Sequence, residues 1–278
     1  MPLTAIRTFG SSELGDDSPR ATGAAVDARG RLLVADNRRV FAYDASGACV
    51  AQNEYAEAIW SVATTATNRW YGVRGGVLEA DIDGRIVAEM RDRQQLGRVT
   101  AVIALDDVLI VSDATHRVLA AYSRDGRRLR DIGRDVNTRG FMIPNGTLDA
   151  AHDPTDDTIC VAHSQKHRVE RYRADGAYLG AWGRFGMADP ADFGGCCNPT
   201  NIAVSPSGLI AVSEKAPSQT KIYTRDGQFL AATAPGEFAD ESKNIALAFA
   251  DDEALYAVEP QTRRIHLFSL VALEVHAS

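Results

Sequence analysis

Short apolar runs recur along the whole chain, broken by polar turns, and no stretch of helical period exceeds about ten residues. The runs RLLVA (31–35), LIVS (109–112) and LIAVS (209–213) are rich in aliphatic residues and apolar at their centres. That is the pattern of strands packed on both faces of a sheet. Between such runs stand Ser46-Gly47, Asp83-Gly84, Asp125-Gly126, Asp175-Gly176 and Asp226-Gly227. A glycine there supplies the positive φ that a tight hairpin needs.

The strands fall into a repeat. Segments beginning at Ala21, Ile59, Thr100, Gly146, Pro199 and Asn244 each read strand, polar turn, strand, polar loop, strand. In the first five a glycine turn and a fourth strand follow, whereas the sixth runs out of chain. A repeat of roughly 40–50 residues with four strands buries its faces by radial stacking. It predicts an all-β fold, a single six-bladed β-propeller over residues 1–278 with four-stranded antiparallel blades. The sixth blade then needs a strand from elsewhere. Residues 4–10, TAIRTFG, match the ends of blades three and four, LRDIG and LGAWG, and are expected to supply it, with the tail at 272–276 as the rival.

Composition narrows the partners. The chain is 45% hydrophobic and 24% charged, ordinary for a soluble globular protein, and its net charge of −7 argues against nucleic-acid and anionic-membrane partners. The arginines at 124, 127, 128, 130 and 134 read as a solvated outer strand and turn. No run approaches the roughly 20 apolar residues of a spanning helix, and the N-terminus has no leader pattern, so a cytoplasmic location is expected. Cys49, Cys160, Cys196 and Cys197 are too few for a disulfide scaffold and are expected as free thiols or metal ligands.

The segments SDATHRVLAAYSRDG and HSQKHRVERYRADG resemble the NHL repeat, with its Asn-His-Arg-like loop, apolar strand and Asp-Gly turn. The resemblance implies the six-bladed NHL propeller. From Pro144 to Tyr223 the chain is similar to a bacterial NHL group with a Gly-Cys-Cys-Asn-Pro motif, here Gly195 to Pro199, ahead of Ser213-Glu214-Lys215. In that group a further cysteine precedes the pair and a histidine follows the proline. Gly194 and Asn201 stand in those places here.

In a propeller, the loops leading into the innermost strands and the loops between second and third strands open on one face. The first set brings Arg20, Trp60, Arg98, Asn145, Cys196, Cys197 and Lys243 there. The second brings Asn37, Arg74, Asp113, His116, His163, His167, Glu214, Lys215 and Glu259. Cys196 and Cys197 with His163 and His167 make an N/S donor set suited to copper or zinc. Alternatively, a thiol beside Lys215 or a histidine acts as nucleophile or redox group, or the pair is structural, either buried or joined as a vicinal disulfide. His116 and His167 fall on the repeat's own histidine and suit a loop-stabilising role. His163 replaces a polar strand end and suits a ligand, an acid/base or a structural group. His152, His266 and His276 lie in or near strands and read as structural or exposed. Glu214 and Lys215 form an ion pair within their loop, or a carboxylate base beside a charge that orients an anionic substrate. No Ser-His-Asp order, phosphate-binding glycine loop or His-Glu-x-x-His motif occurs.

Two functional classes follow. One is a small-molecule-binding propeller with its site near blades four and five. It leaves open a metal- or thiol-dependent lyase, hydrolase or oxidoreductase built on Cys196, Cys197, His163, Glu214 and Lys215. The other is a non-catalytic scaffold for protein partners.

Overall fold

The computed structural model describes residues 2–10, 21–240 and 242–273. Arg20 and the tail beyond 273 lie outside the described residues. Six four-stranded antiparallel sheets stand around a central channel, and the one short helical element described is a 3₁₀ turn, Ser164–Lys166. Blades one to five occupy 21–54, 61–91, 99–132, 149–182 and 201–232, each in simple meander order. The sixth blade takes its first three strands from 246–269, and its outermost strand is Ala5–Gly10, paired antiparallel with Arg264–Ser269.

The doubly apolar strands are explained by where the core lies. Six hydrophobic clusters are buried, each between two neighbouring blades. At the junction of blades one and two, for example, Leu33, Val40 and Ala42 meet Val62, Tyr71 and Leu78. No blade has a core of its own, so each sheet must be apolar on both faces.

The hairpin turns are longer than a two-residue Asp-Gly turn. Gly47 N–H donates to Asp44 O at 2.9 Å, Asp44 N–H to Ala48 O at 3.0 Å, and only the glycine has positive φ, 82°. This is a helical-sense turn closed by a left-handed glycine, and Gly84, Gly126, Gly176 and Gly227 repeat it. Just beyond it the outermost strand of each blade carries one extra residue against its neighbour. The extra residues are Val50, Val87, Leu129, Leu179 and Leu230, and in the closing strand Ile6. The N-terminal strand therefore reproduces the bulge of the strands it stands beside.

Two further bulges shape the channel mouth. The register slips between Ala21 and Gly23 and between Val99 and Ala101, leaving Thr22 and Thr100 without cross-strand partners. Both side chains line the mouth. No helix among the described residues is long and apolar enough to cross a membrane.

Candidate functional site at the channel mouth

A cavity of about 460 Å³ opens where the innermost strands begin. All six blades contribute to its wall: Thr22 and Asn37, Trp60, Arg98 and Thr100, Asn145 and Thr147, Asn201, and Lys243 with Asn244. Below it the channel continues as a second space of about 320 Å³, and Thr22, Thr100 and Asn201 line both. Of the residues that the topology directed to this face, Asn37, Trp60, Arg98, Asn145 and Lys243 line the cavity. Thr22, Thr100, Thr147 and Asn244 were not anticipated; the threonines at 22 and 100 owe their position to bulges, which leave no mark in an apolar pattern.

Among the described residues the wall holds two cations and no carboxylate, imidazole or thiol. The Arg98 guanidinium lies over the Trp60 ring, 4.9 Å from its centroid, and donates from Nη2 to Gly146 O. Its Nε–H is buried with no hydrogen-bond partner among the described residues, and the same holds for Asn244 Oδ1. No carboxylate among the described residues pairs with Lys243, which is exposed. Asn145 is held from behind: Nδ2 donates to Cys197 O at 2.8 Å, and Oδ1 accepts from Lys215 Nζ at 2.5 Å. Lys215 thus brings a third positive charge one hydrogen bond behind the wall.

One acid stands deeper. Asp149 Oδ2 accepts from Asn201 Nδ2 at 3.0 Å and from Ile202 N–H at 3.1 Å, within the channel. Burial pushes its carboxyl up to about 7 despite those hydrogen bonds.

The cysteine and histidine candidates lie behind this wall rather than in it. Cys196 is exposed and Cys197 buried, both are free, and their Sγ atoms are 2.8 Å apart. Burial raises the Cys197 thiol, and its hydrogen bond with Cys196 adds to the effect. His163 is fully buried: Nε2 accepts from Met142 N–H at 3.0 Å, so Nδ1 carries the proton and donates to Glu170 at 2.9 Å. Both ring nitrogens are therefore committed, and ligating a metal would cost the Glu170 bond or the Met142 bond. Burial alone would raise the Glu170 carboxyl, but His163, Tyr172 and Asn137 hold it well below its ordinary range. His167 closes the 3₁₀ turn in the left-handed conformation, φ 51°, packed edge-on against Phe185. Burial lowers it against a backbone hydrogen bond to Phe193. Among the described residues no three His, Cys, Asp or Glu side chains form a group that could hold a metal ion.

Glu214 and Lys215 do not pair with each other. The fully buried Glu214 carboxylate takes Lys221 Nζ at 2.9 Å from the facing strand, and Lys215 turns to Asn145. Successive strand residues point to opposite faces, which separates the two side chains. Burial raises the Glu214 carboxyl in spite of Lys221. His116 Nδ1 lies 2.6 Å from Asp113 Oδ2 within its own loop. Glu259 is buried and accepts from Ala239 N–H and Ser242 Oγ, so it offers no free carboxylate at the mouth.

No protein-family model matches the chain, and no curated protein matches it in sequence. Solved structures match in shape. Streptogramin B lyase superposes with a TM-score of 0.65 at 10% identity, over 96% of this chain and 98% of its own. The WD40 β-propeller domain of Doa1 gives 0.63 at 10% identity, over 89% and 78%. A chain of the mitotic checkpoint complex gives 0.62 at 12% identity, over 96% and 92%. The chain is a six-bladed β-propeller, and at these identities the likeness is one of fold.

Proposed function

We propose that this protein is a propeller of the NHL type that binds a small anionic, hydroxyl-bearing molecule in the channel mouth. The observation that carries the reading is the composition of the wall: a buried Arg98 Nε–H and an Asn244 Oδ1, both without partners among the described residues, in a cavity of about 460 Å³ lined by cations, amides and hydroxyls with an apolar side of Ala58, Ile59, Trp60 and Pro260. An unmet buried donor costs free energy until a ligand meets it. Arg98 and Lys243 suit a carboxylate or similar anion, the four asparagines and three threonines suit hydroxyls, and the Trp60 face suits an apolar edge. The wall can bind and orient. The nearest acid, Asp149, lies below the wall, where it accepts a hydrogen bond from Asn201 Nδ2.

The test is thermal stabilisation of the protein across a panel of hydroxy acids, with citrate, tartrate and gluconate as the first probes. Stabilisation by at least one member, weakened about tenfold in apparent affinity by Arg98→Ala, supports the reading. No stabilisation by any member, or equal stabilisation of the variant, overturns it.

A scaffold reading has its own support. Met142, Phe185 and Met187 expose 40%, 59% and 71% of their surface, and Met142 and Phe185 lie in the loops around His163 and His167. The solved propellers of similar shape also include components of protein complexes. Phe185→Ser and Met187→Ser would then abolish partner binding while leaving hydroxy-acid binding intact.

A further inference from the structure

We propose that Cys196 and Cys197 form a reversible dithiol–disulfide site that exchanges with low-molecular-weight disulfides. Neighbouring side chains in extended backbone point to opposite faces, so adjacent cysteines do not ordinarily meet. Here they do, because Cys197 takes the left-handed conformation, φ 70°, which costs a non-glycine residue roughly 1 kcal/mol or more. That turn brings the two Sγ atoms to 2.8 Å. The loop is held in place by Asn198, whose Nδ2 donates to Gly194 O at 2.7 Å and whose Oδ1 accepts from Lys215 N–H at 3.0 Å.

The unequal burial of the pair gives the exchange a direction. Cys196 is open to solvent and meets the incoming disulfide, while Cys197, 2% exposed, is reached only from Cys196. In the first step the Cys196 thiolate attacks one sulfur of RSSR, that S–S bond breaks, and the departing RS⁻ takes up a proton. In the second, Cys197 loses its proton and attacks the Cys196 sulfur of the mixed disulfide, expelling the second RS⁻, which is protonated in turn. Two protein thiols are oxidised by two electrons, and one RSSR is reduced to two RSH. Burial keeps Cys197 protonated until the mixed disulfide places an electrophilic sulfur beside it. Cys197 O is also the acceptor that holds Asn145 in the mouth wall, so the couple stands one hydrogen bond behind the cavity.

The experiment treats the reduced protein with oxidised glutathione and follows intact mass, mapped peptides and released thiol. The expected product lacks two hydrogens in the peptide that carries both cysteines, releases two glutathiones per chain, and is restored by dithiothreitol. In the peptide that carries the pair, Cys196→Ser should not react and Cys197→Ser should stop at a mixed disulfide on Cys196; the half-buried Cys49 is replaced by serine throughout so that it adds no glutathione of its own. Cys160 is fully buried, with its thiol pushed up to about 12, and should stay reduced throughout. A protein with both cysteines intact that stops at the mixed disulfide, bridges between chains or leaves the pair unreacted would overturn the proposal. Each of these outcomes is independent of whether the mouth binds a hydroxy acid.

Discussion

Among single residues, Asp149 and His163 show how burial assigns roles. Asp149 is an acid in a channel neck otherwise lined by apolar, hydroxyl and amide side chains and His152, and its carboxyl is pushed up to about 7, above the ordinary 3.8. The folded state therefore binds more protons than the unfolded state between about pH 4 and 7, and stability falls as pH rises through that window. Asp149→Asn keeps an oxygen for Asn201 Nδ2 and Ile202 N–H, gives up the one that accepts from Ala150 N–H, and removes the titration. Its urea midpoint should be flatter with pH than that of wild type, and higher above pH 7 by an amount equivalent to roughly 1–2 kcal/mol, part of the full shift because the channel admits water. Glu214, also raised, and His167, lowered, contribute to the same window with the same and the opposite sign, so the difference between wild type and Asp149→Asn is what counts: no difference in slope would contradict a raised Asp149 carboxyl. His163→Ala should destabilise by about 3 kcal/mol in urea unfolding, since it strips a donor from the buried Glu170 carboxylate and leaves Met142 N–H unpaired. His163 stood out in the sequence because it breaks the repeat. Its partner Glu170 did not, because a carboxylate seven positions away becomes a neighbour only through the register of the facing strand.

At the scale of the element, what could be read from the sequence was the alternation, the Gly turns and the repeat, all of them local. The turn class was not readable, because an Asp-Gly pair fits both a two-residue hairpin and the longer turn that forms. The bulge could be found in retrospect: an apolar residue stands three places after Gly47, Gly84, Gly126, Gly176 and Gly227. The closing strand tests the same logic. Phe9 packs against Tyr43 and Tyr256 at ring centroid distances of 5.7 and 6.3 Å, on the junction of blades six and one. Phe9→Ala should cost about 2 kcal/mol in urea unfolding, a partly buried aromatic lost from a core. A midpoint unchanged from wild type would mean that the strand is dispensable. Gly72 marks a tighter contact, for a Cβ there would meet Val99 O at 2.5 Å and Ser61 Oγ as well. Gly72→Ala should therefore destabilise by about 2 kcal/mol or more by overpacking blades two and three, although alanine suits a strand better than glycine does.

The whole molecule explains why the cavity was only partly legible. Its wall draws on residues from Thr22 to Pro260, one to three from each blade, so no local spacing announces it. Repeat topology could direct Asn37, Trp60, Arg98, Asn145 and Lys243 to one face, but not say which would share a cavity. The adjacent cysteines point to blades four and five because they are a motif on the linear chain. They lie behind Asn145, and Lys215 reaches the same asparagine. Six blades meet through their junctions around the channel, and the Arg98 Nε–H and Asn244 Oδ1 left without partners among the described residues are the groups that the proposed ligand would meet.

The most direct measurement is titration calorimetry of the wild-type protein and Arg98→Ala with gluconate and with its uncharged analogue sorbitol. One gluconate should bind per chain, about tenfold weaker or worse in the variant, with little heat from sorbitol. Equal binding of the two ligands, or gluconate binding that ignores Arg98, would contradict it.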